Sequence, residues 1–299
     1  MSTPGLPDDE RLAQIAGTIA GEVRAALLRR GDPAGAAETL YDPGDLKSGH
    51  GIDTDAAAVA RRVLAGLGCN LYVEGEPPEV AAAAPFCIYL DPVDGSLNWD
   101  RGVGDPAFVL AAAAGPRAAC PDDLRFAWVE GLRSGDRYRT AAAATWFRAG
   151  RSGRERRVST AAPERVTEAT GYLRAGYGGA RRQLAHTLPL YLAARDLRAI
   201  DNAGTEFGEV ARNAAHFLVE ARGLSDGFNL LAWPLVRAAG GVLQDLEGED
   251  LAARAWRPDA IVDYVLAGNE WLAGDLVARM RRFAGNGRAA LEGVMERVE

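Results

Sequence analysis

Two aspartates three positions apart end an apolar segment, and their types and spacing suit the binding of a hard metal ion. The segment reads Phe-Cys-Ile-Tyr-Leu over residues 86–90, which predicts a buried strand. Asp91 and Asp94 follow it, and paired carboxylates are ligands that Mg²⁺, Mn²⁺ or Ca²⁺ prefer. Gly95 permits a sharp turn, and Ser96 is placed to cap a following helix whose free N–H groups would face an anion such as phosphate. Carboxylates beside a phosphate cradle are what a metal-assisted phosphatase needs.

The simplest alternative is a surface turn that carries two solvated aspartates. Asp-Pro and Asp-Gly are common turn dipeptides, so the short segment alone is compatible with either a turn or a metal site. The metal site is favoured because segments on both sides of it match the same sequence pattern, which is described next.

Residues 91–98 read Asp-Pro-Val-Asp-Gly-Ser-Leu-Asn. This stretch resembles the signature of the inositol monophosphatase superfamily, Asp-Pro-[Ile/Leu/Val]-Asp-Gly-[Thr/Ser]-x-Asn. Other stretches resemble family segments and occur in the family's order, at residues 73–76, 105–111, 135–141 and 238–245. The resemblance covers roughly residues 10–283, almost the whole chain.

The resemblance implies an α/β (α+β) fold, a layered α-β-α-β-α sandwich of the sugar phosphatase type. Helices and strands that alternate without a regular βαβ rhythm favour a layered sandwich independently. We expect one phosphatase-like unit over residues 1–299. Its N-terminal half, about 8–160, would carry the metal site, and its C-terminal half, about 161–285, would lie on the substrate side. The family hydrolyses phosphate monoesters with Mg²⁺.

The resemblance also implies a set of metal ligands at the strand end. Glu74, Asp91 and the Val93 carbonyl would hold one metal. Glu76 is the alternative to Glu74, because the family has two adjacent glutamates where this sequence has Glu-Gly-Glu. A second metal would be held by Asp91, Asp94 and either Asp226 or Asn229. Two or three Mg²⁺ ions are expected, with Mn²⁺ or Ca²⁺ as substitutes.

The remaining site residues implied by the resemblance contact phosphate, water or substrate. Gly95 and Ser96 would bind the phosphate, and Ser96 would also orient the attacking water. Gly204, Thr205 and Glu220 would contact the substrate. The substrate is expected to be a small sugar, cyclitol or nucleoside phosphate. A degenerate or repurposed relative that binds such a ligand without hydrolysing it is the alternative.

The first departure from the family pattern lies at residues 47–53, which read Lys-Ser-Gly-His-Gly-Ile-Asp. The family has an Asp and a Thr here that help activate the attacking water. Asp53 matches a later family Asp, and the first Asp falls near His50. His50 is therefore a candidate base, since histidine titrates near neutral pH, and a loop histidine without a chemical role is the alternative.

The second departure lies at residues 226–234, where the family has Trp-Asp-x-Ala-Ala-Gly and its Asp is a metal ligand. By distance from the later Gly-Gly pair, that Asp falls on Phe228. By its neighbours it falls on Asn229, and by charge it falls on Asp226. The register stays open at this point. Pro234 predicts that the following helix begins near Trp233.

Composition limits the partners. The chain of 299 residues is 48% hydrophobic and 25% charged with a net charge of −7, which is typical of a large globular core and argues against nucleic acid. Three cysteines without a CxxC pattern fit a reducing, cytoplasmic setting. The absence of a signal segment and of a long apolar run predicts no membrane partner. The expected partner is a phosphorylated small molecule, and the resemblance implies a homodimer.

Apolar periodicity predicts the elements that position these residues. Helices are expected at residues 8–30, 54–67, 181–195 and 270–283. Strands are expected at residues 69–73, 107–113, 126–130, 137–142, 197–200, 242–245 and 262–267. The basic run at residues 151–157 is expected to be a solvated loop.

Overall fold

The computed structural model describes residues 5–29, 51–174, 179–224 and 226–287, together with residues 289, 291 and 293. The helices of this part are α1 Asp9–Arg29, α2 Gly51–Leu64, α3 Ser96–Asp100, α4 Ala180–Ala193, α5 Ala203–Ala211, α6 Trp233–Ala239 and α7 Glu270–Asn286. The strands are β1 Asn70–Val73, β2 Phe86–Asp94, β3 Ala107–Ala114, β4 Leu124–Gly131, β5 Arg137–Ala141, β6 Ala144–Arg148, β7 Glu155–Val158, β8 Thr170–Leu173, β9 Asp196–Arg198, β10 Phe217–Glu220, β11 Val242–Gln244 and β12 Tyr264–Ala267.

The described strands form two sheets. The first is seven-stranded and keeps chain order from β1 to β7. In it β1 runs parallel to β2, and the following strands pair antiparallel. The second is five-stranded with the order β11-β12-β10-β8-β9. In it β8 runs parallel to both β9 and β10, so the carboxyl ends of these strands lie at one edge.

Side-chain alternation along the strands fixes the order of the layers, because successive residues of a strand face opposite sides of the sheet. Ile88 and Leu90 pack against α1 and α2, whereas Cys87 and Tyr89 pack in a core shared with α5, α6 and the second sheet. On the far side of the second sheet, Phe217 packs with α4 and α7. The resulting order is α-β-α-β-α, which confirms the predicted fold class.

Local sequence explains most of the elements that were predicted. The apolar face of α1 is buried and acidic residues occupy its first turn, as expected for a helix that begins near Asp9. The helix predicted to begin near Trp233 is confirmed as α6, with Pro234 in its first turn. Strand β2 extends through the motif and ends at Asp94, so the motif lies at a strand end.

The prediction of a loop at residues 151–157 is wrong for residues 155–157. Residues from Glu155 onward form β7, the edge strand of the first sheet, which pairs with β6. The strand escapes pattern recognition because Arg156 and Arg157 are exposed and only Val158 is buried. Charged side chains on an edge strand discourage pairing with other chains.

Core packing predicts a large difference between two leucines. Leu90 is fully buried in β2, whereas Leu192 on α4 is 81% exposed. We expect Leu90→Ala to lower the free energy of unfolding by about 2–5 kcal/mol, because it leaves a cavity in the layer under α1 and α2. The matched Leu192→Ala should change it by less than about 0.5 kcal/mol. Urea denaturation of both variants checks this, and similar losses would contradict the layer assignment.

Candidate functional site

A cavity of about 990 Å³ lies where the ends of strands from both sheets meet. This volume is typical of a site for a small organic ligand. From the first sheet and the turn after it, the cavity is lined by Glu74, Asp91, Val93, Asp94, Gly95 and Ser96. From the second half of the chain, it is lined by Arg174, Asp201, Arg222, Asp226 and Asn229. The structure therefore brings together all the candidate metal ligands and both candidate phosphate-binding residues.

Glu74 and Asp91 lie side by side at the ends of two parallel strands. Val73 pairs with Leu90, and the Glu74 amide donates to the Leu90 carbonyl at 2.9 Å, which continues the pairing by one residue. Both acids line the cavity and both are partly exposed. Glu76 also lines the cavity, but Arg61 donates to its carboxylate at 2.6 Å. Glu74 is the glutamate that directly continues β1 beside Asp91, and Glu76 lies two residues further along the chain.

Asp91 also shapes the turn that follows it. Its Oδ1 accepts a hydrogen bond from the Val93 amide at 3.0 Å. The pairing of β2 with β3 shifts register between Asp91 and Asp94, so the strand bulges there. A bulge next to a site re-aims the side chains around it.

Asp94 links β2 to the start of α5. Its two carboxylate oxygens accept from the amides of Ala203 at 3.1 Å and Gly204 at 2.7 Å. The side chain is only 8% exposed. Burial raises the pKa of Asp94 to about 7, and the positive charge of Arg174 is the largest effect in the opposite direction. Asp94 therefore holds a helix N-terminus as well as lining the cavity.

Gly204 is required for this approach of α5 to the first sheet. A Cβ at this position would lie 2.5 Å from Cγ2 of Val109 and 3.4 Å from Oδ2 of Asp94. The backbone N–H of Gly204 thus donates its hydrogen bond to the Asp94 carboxylate. Gly204 and Thr205, both predicted to contact substrate, are not among the residues that line the cavity.

The turn after Asp94 depends on a close approach at Gly95. This residue has φ +82° and occupies the N-cap position of α3. The prediction that Ser96 caps the helix is wrong, because Ser96 is the first residue of α3 itself. An added Cβ on Gly95 would lie 1.9 Å from Oδ1 of Asn202, so both the backbone conformation and the neighbour select glycine.

Two asparagines that the sequence analysis missed tie this turn to the loop before α5. Asn98 donates from Nδ2 to Oδ1 of Asn202 at 2.6 Å and to the Ile200 carbonyl at 2.7 Å. Asn202 is fully buried and donates in turn to the Asp105 carbonyl at 2.9 Å. The final Asn of the motif was a signal for Asn98, whereas nothing local marks Asn202.

Glu220 is not among the residues that line the cavity, contrary to the prediction that it contacts substrate. It is 1% exposed, and Arg222 donates to it from Nε at 2.9 Å and from Nη2 at 2.6 Å. Burial opposes the charge, but these hydrogen bonds lower the pKa of Glu220 overall. Arg222 itself lines the cavity, so at this point the cavity presents the arginine and not the glutamate.

Asp226 and Asn229 both line the cavity. Asp226 immediately precedes the 3₁₀ helix Gly227–Ala232, and Asn229 lies within it. The Asn229 amide oxygen accepts from Nη1 of Arg174 at 3.5 Å. Asp226 is partly exposed and offers a carboxylate where Asn229 offers only an amide oxygen, which makes it the stronger of the two candidate ligands.

The water-activating candidates near residue 50 are only partly described. His50 lies outside the described residues. Asp53 falls in the first turn of α2, where the structure describes the backbone. The predicted roles of both residues remain predictions.

The donor set fits a divalent ion at the Glu74–Asp91 end of the cavity. Among the described residues, no group of three or more His, Cys, Asp or Glu side chains is close enough to hold a metal together. Mg²⁺ does not need such a group, since it is usually bound by one or two carboxylates with waters and substrate phosphate. Two carboxylates on adjacent strand ends beside the turn at Gly95 match that preference.

Comparison with known proteins supports the fold. No family model and no curated protein matches the sequence. The extragenic suppressor protein suhB from Bartonella henselae is similar in structure, with 17% identity, a TM-score of 0.72, and 90% of this chain and 98% of that chain covered. The Thermotoga maritima IMPase has 14% identity and a TM-score of 0.71 over 91% and 97% of the two chains. An inositol monophosphatase from Zymomonas mobilis has 16% identity and a TM-score of 0.66 over 92% and 100%.

Two glycines with similar backbone angles allow the effect of the contact between Gly95 and Asn202 on the free energy of unfolding to be predicted. Gly66 has φ +85° with nothing within 4 Å of an added Cβ, whereas Gly95 has φ +82° and faces Asn202. We expect Gly66→Ala to cost about 1–2 kcal/mol of unfolding free energy, from backbone strain alone. Gly95→Ala should cost a further ~1–3 kcal/mol, because the side chain of Asn202 must move. Chemical denaturation of both variants measures the difference, and equal losses would show that the contact is unimportant.

Proposed function

We propose that this chain, which has the inositol monophosphatase fold, is a Mg²⁺-dependent hydrolase of small phosphate monoesters. The observation that carries the proposal is the placement of the Asp-Pro-Val-Asp-Gly-Ser motif. It lies at the end of β2, and its two acids line one cavity with Glu74. Acids of this kind beside a sharp turn suit a metal and a phosphate at the same place.

Each residue at the strand end has a role in the proposed reaction. Glu74, Asp91 and the Val93 carbonyl would hold the ion, which supplies positive charge to the phosphate oxygens when bound. The N–H groups of Gly95 and Ser96 orient the phosphate, and the Ser96 hydroxyl positions the attacking water. Positioning and charge stabilisation supply most of the catalysis in phosphoryl transfer, so no covalent intermediate is needed.

An aromatic part of the cavity lining suits a ring-shaped organic group. Tyr72 stacks on Tyr89 with ring centroids 4.6 Å apart, and Trp256 packs at 5.2 Å from Tyr89. All three line the cavity. Polar groups of Asp201 and Arg222, which also line the cavity, can hydrogen-bond hydroxyl groups. A sugar, cyclitol or nucleoside phosphate is therefore the proposed substrate class. Gly204, Thr205 and Glu220 would act indirectly, by positioning residues that line the cavity.

A second candidate function is binding of a phosphorylated molecule without hydrolysis. The observation that favours it is in the sequence at residues 47–53, where His50 stands near the position of the family's water-activating Asp. Release of phosphate from a panel of sugar phosphates separates the two functions. If nothing turns over while the same compounds raise the melting temperature, the binding function is correct.

The setting of the protein stays at the level of prediction. A cytoplasmic location was expected from the cysteines and a homodimer from the resemblance. Within the described part of the chain, no helix has the length and apolar character needed to cross a membrane.

The proposed ligand role of Asp91 predicts the effect of neutralising it. Asp91→Asn should lower Mg²⁺-dependent phosphate release at least ~100-fold, because metal-borne charge contributes several kcal/mol to the transition state. Asp259→Asn is the matched control, since Asp259 lines the same cavity but its side chain is 75% exposed and pairs with Arg257. A steady-state phosphate assay measures both variants. Equal activity of Asp91→Asn and wild type would contradict the assignment.

A further inference from the structure

One stretch of the cavity lining comes from the connection between β1 and β2. The five residues that follow β1 all line the cavity, and they are Glu74, Gly75, Glu76, Pro77 and Pro78. Glu74 is fixed by the pairing of the two strands, because its amide donates to the Leu90 carbonyl at 2.9 Å. The next four residues, 75–78, come after this last bond to β2, and we call them the 75–78 wall.

Backbone hydrogen bonds hold the chain at two points along this stretch. The Glu76 amide donates to the Val73 carbonyl at 3.2 Å, which closes the turn after β1. Glu79 and Leu71 exchange two backbone hydrogen bonds of 2.9 Å, which return the chain to β1. Between these points come the two prolines at residues 77–78, whose backbone has no N–H to donate. Side chains therefore have to supply further restraint on this part of the wall.

Arg61 of α2 supplies such a restraint. Its Nη2 donates to the Glu76 carboxylate and its Nε donates to the Glu79 carboxylate, both at 2.6 Å. These two hydrogen bonds raise the pKa of Arg61, so the guanidinium is charged. Because a guanidinium is planar and its donors are fixed relative to one another, this one group bridges the residues on either side of the two prolines. It joins the wall to α2.

We propose that Arg61 is a positioning residue, which holds the 75–78 wall in place for contact with the organic group of the substrate. This inference rests on the proposed function and deepens it. Tyr72, part of the aromatic lining, lies on β1 just before this stretch, so an organic group packed on that lining is placed to meet the wall. Glu74 is held by the strand pairing and does not need Arg61. Loss of Arg61 should therefore affect the organic group more than the ion or the phosphate.

Arg62, the next residue of α2, offers a matched control. It also pairs with a glutamate, Glu22 of α1, and neither of these two residues is among those that line the cavity. The Arg62 side chain is 68% exposed, against 33% for Arg61. Exposed ion pairs contribute little to stability, so the loss of either arginine should change the melting temperature by no more than about 4 °C.

The first experiment compares Arg61→Met and Arg62→Met in the full chain, with p-nitrophenyl phosphate as substrate and Mg²⁺ present. Arg61→Met should raise KM about 3- to 10-fold, because a looser wall binds the organic group less well. Its kcat and the inhibition constant of inorganic phosphate, which has no organic group, should stay within about 2-fold of wild type. Arg62→Met should change none of the three. An unchanged KM in Arg61→Met would overturn the inference, and so would an equal rise in KM and in the inhibition constant.

A second variant keeps the test decisive if Arg61→Met does not fold, with circular dichroism as the check. Glu79→Ala removes one of the two carboxylates that Arg61 holds, at a side chain that is 59% exposed and is not among those that line the cavity. It should raise KM about 2- to 5-fold, and a wild-type KM would overturn the role of the bridge.

Calorimetry separates this inference from the proposed function. If the wild type hydrolyses no phosphate ester, the phosphatase function is wrong, and the binding of p-nitrophenyl phosphate then tests Arg61 directly. Binding that is about 3- to 10-fold weaker in Arg61→Met, with inorganic phosphate binding unchanged, would support the inference. Equal binding of the ester to both proteins, or binding to neither, would overturn it.

Discussion

The bond between the Asp94 carboxylate and the first amides of α5 is the contact on which the rest of the site depends. It joins the end of a strand in the first sheet to a helix in the layer between the sheets. A carboxylate at a helix N-terminus satisfies donors that the helix cannot satisfy itself. Because Gly95 and Asn202 are the next residues on either side of this joint, their close approach follows from it. The cavity lies beside this contact, at the ends of the strands.

This double use of Asp94 changes what a substitution there would report. A carboxylate that only bound metal could be neutralised without harm to the fold. Asp94 is nearly buried and accepts two hydrogen bonds, so an amide in its place would present a donor to at least one backbone N–H. Asp91 lies on the same strand, remains partly exposed and accepts a hydrogen bond from the Val93 amide within its own turn. It is the cleaner position for testing metal chemistry.

The sequence predicts the parts of this structure that depend on neighbouring residues. The motif at residues 91–98 is local, so its strand end and sharp turn follow from its own residues. The periodic apolar faces of α1 and α7 are likewise readable from the sequence. Strand β7 is not, because a charged edge strand buries one residue and has no alternating pattern. The layer order follows from the resemblance more than from periodicity, since helices and strands vary in their sequence spacing.

Long-range pairing is what sequence analysis could not supply at the site. Glu220 carries a signal for a polar contact, but its orientation depends on Arg222, two residues later, and on Arg174, which comes from a different strand. Asn202 and Glu206 are buried partners of residues about a hundred and about thirty positions away in the chain. Charge pairs of this kind are specified by the fold, and only the fold reveals which of two acids faces the cavity.

The buried charges on the second sheet are better explained by function than by stability. Removing several ions from water is costly, and well-packed apolar side chains commonly stabilise a core as well or better. Yet Arg174, Glu206, Glu220 and Arg222 are all almost fully buried at one edge of the sheet, and the two arginines line the cavity. Fixed charges in a water-poor site act on a bound anion more strongly than charges in water and need no reorganisation when the reaction occurs. A cation held by its own carboxylates is permanently in place, which gives the arginine cluster a physical reason to be retained in the core.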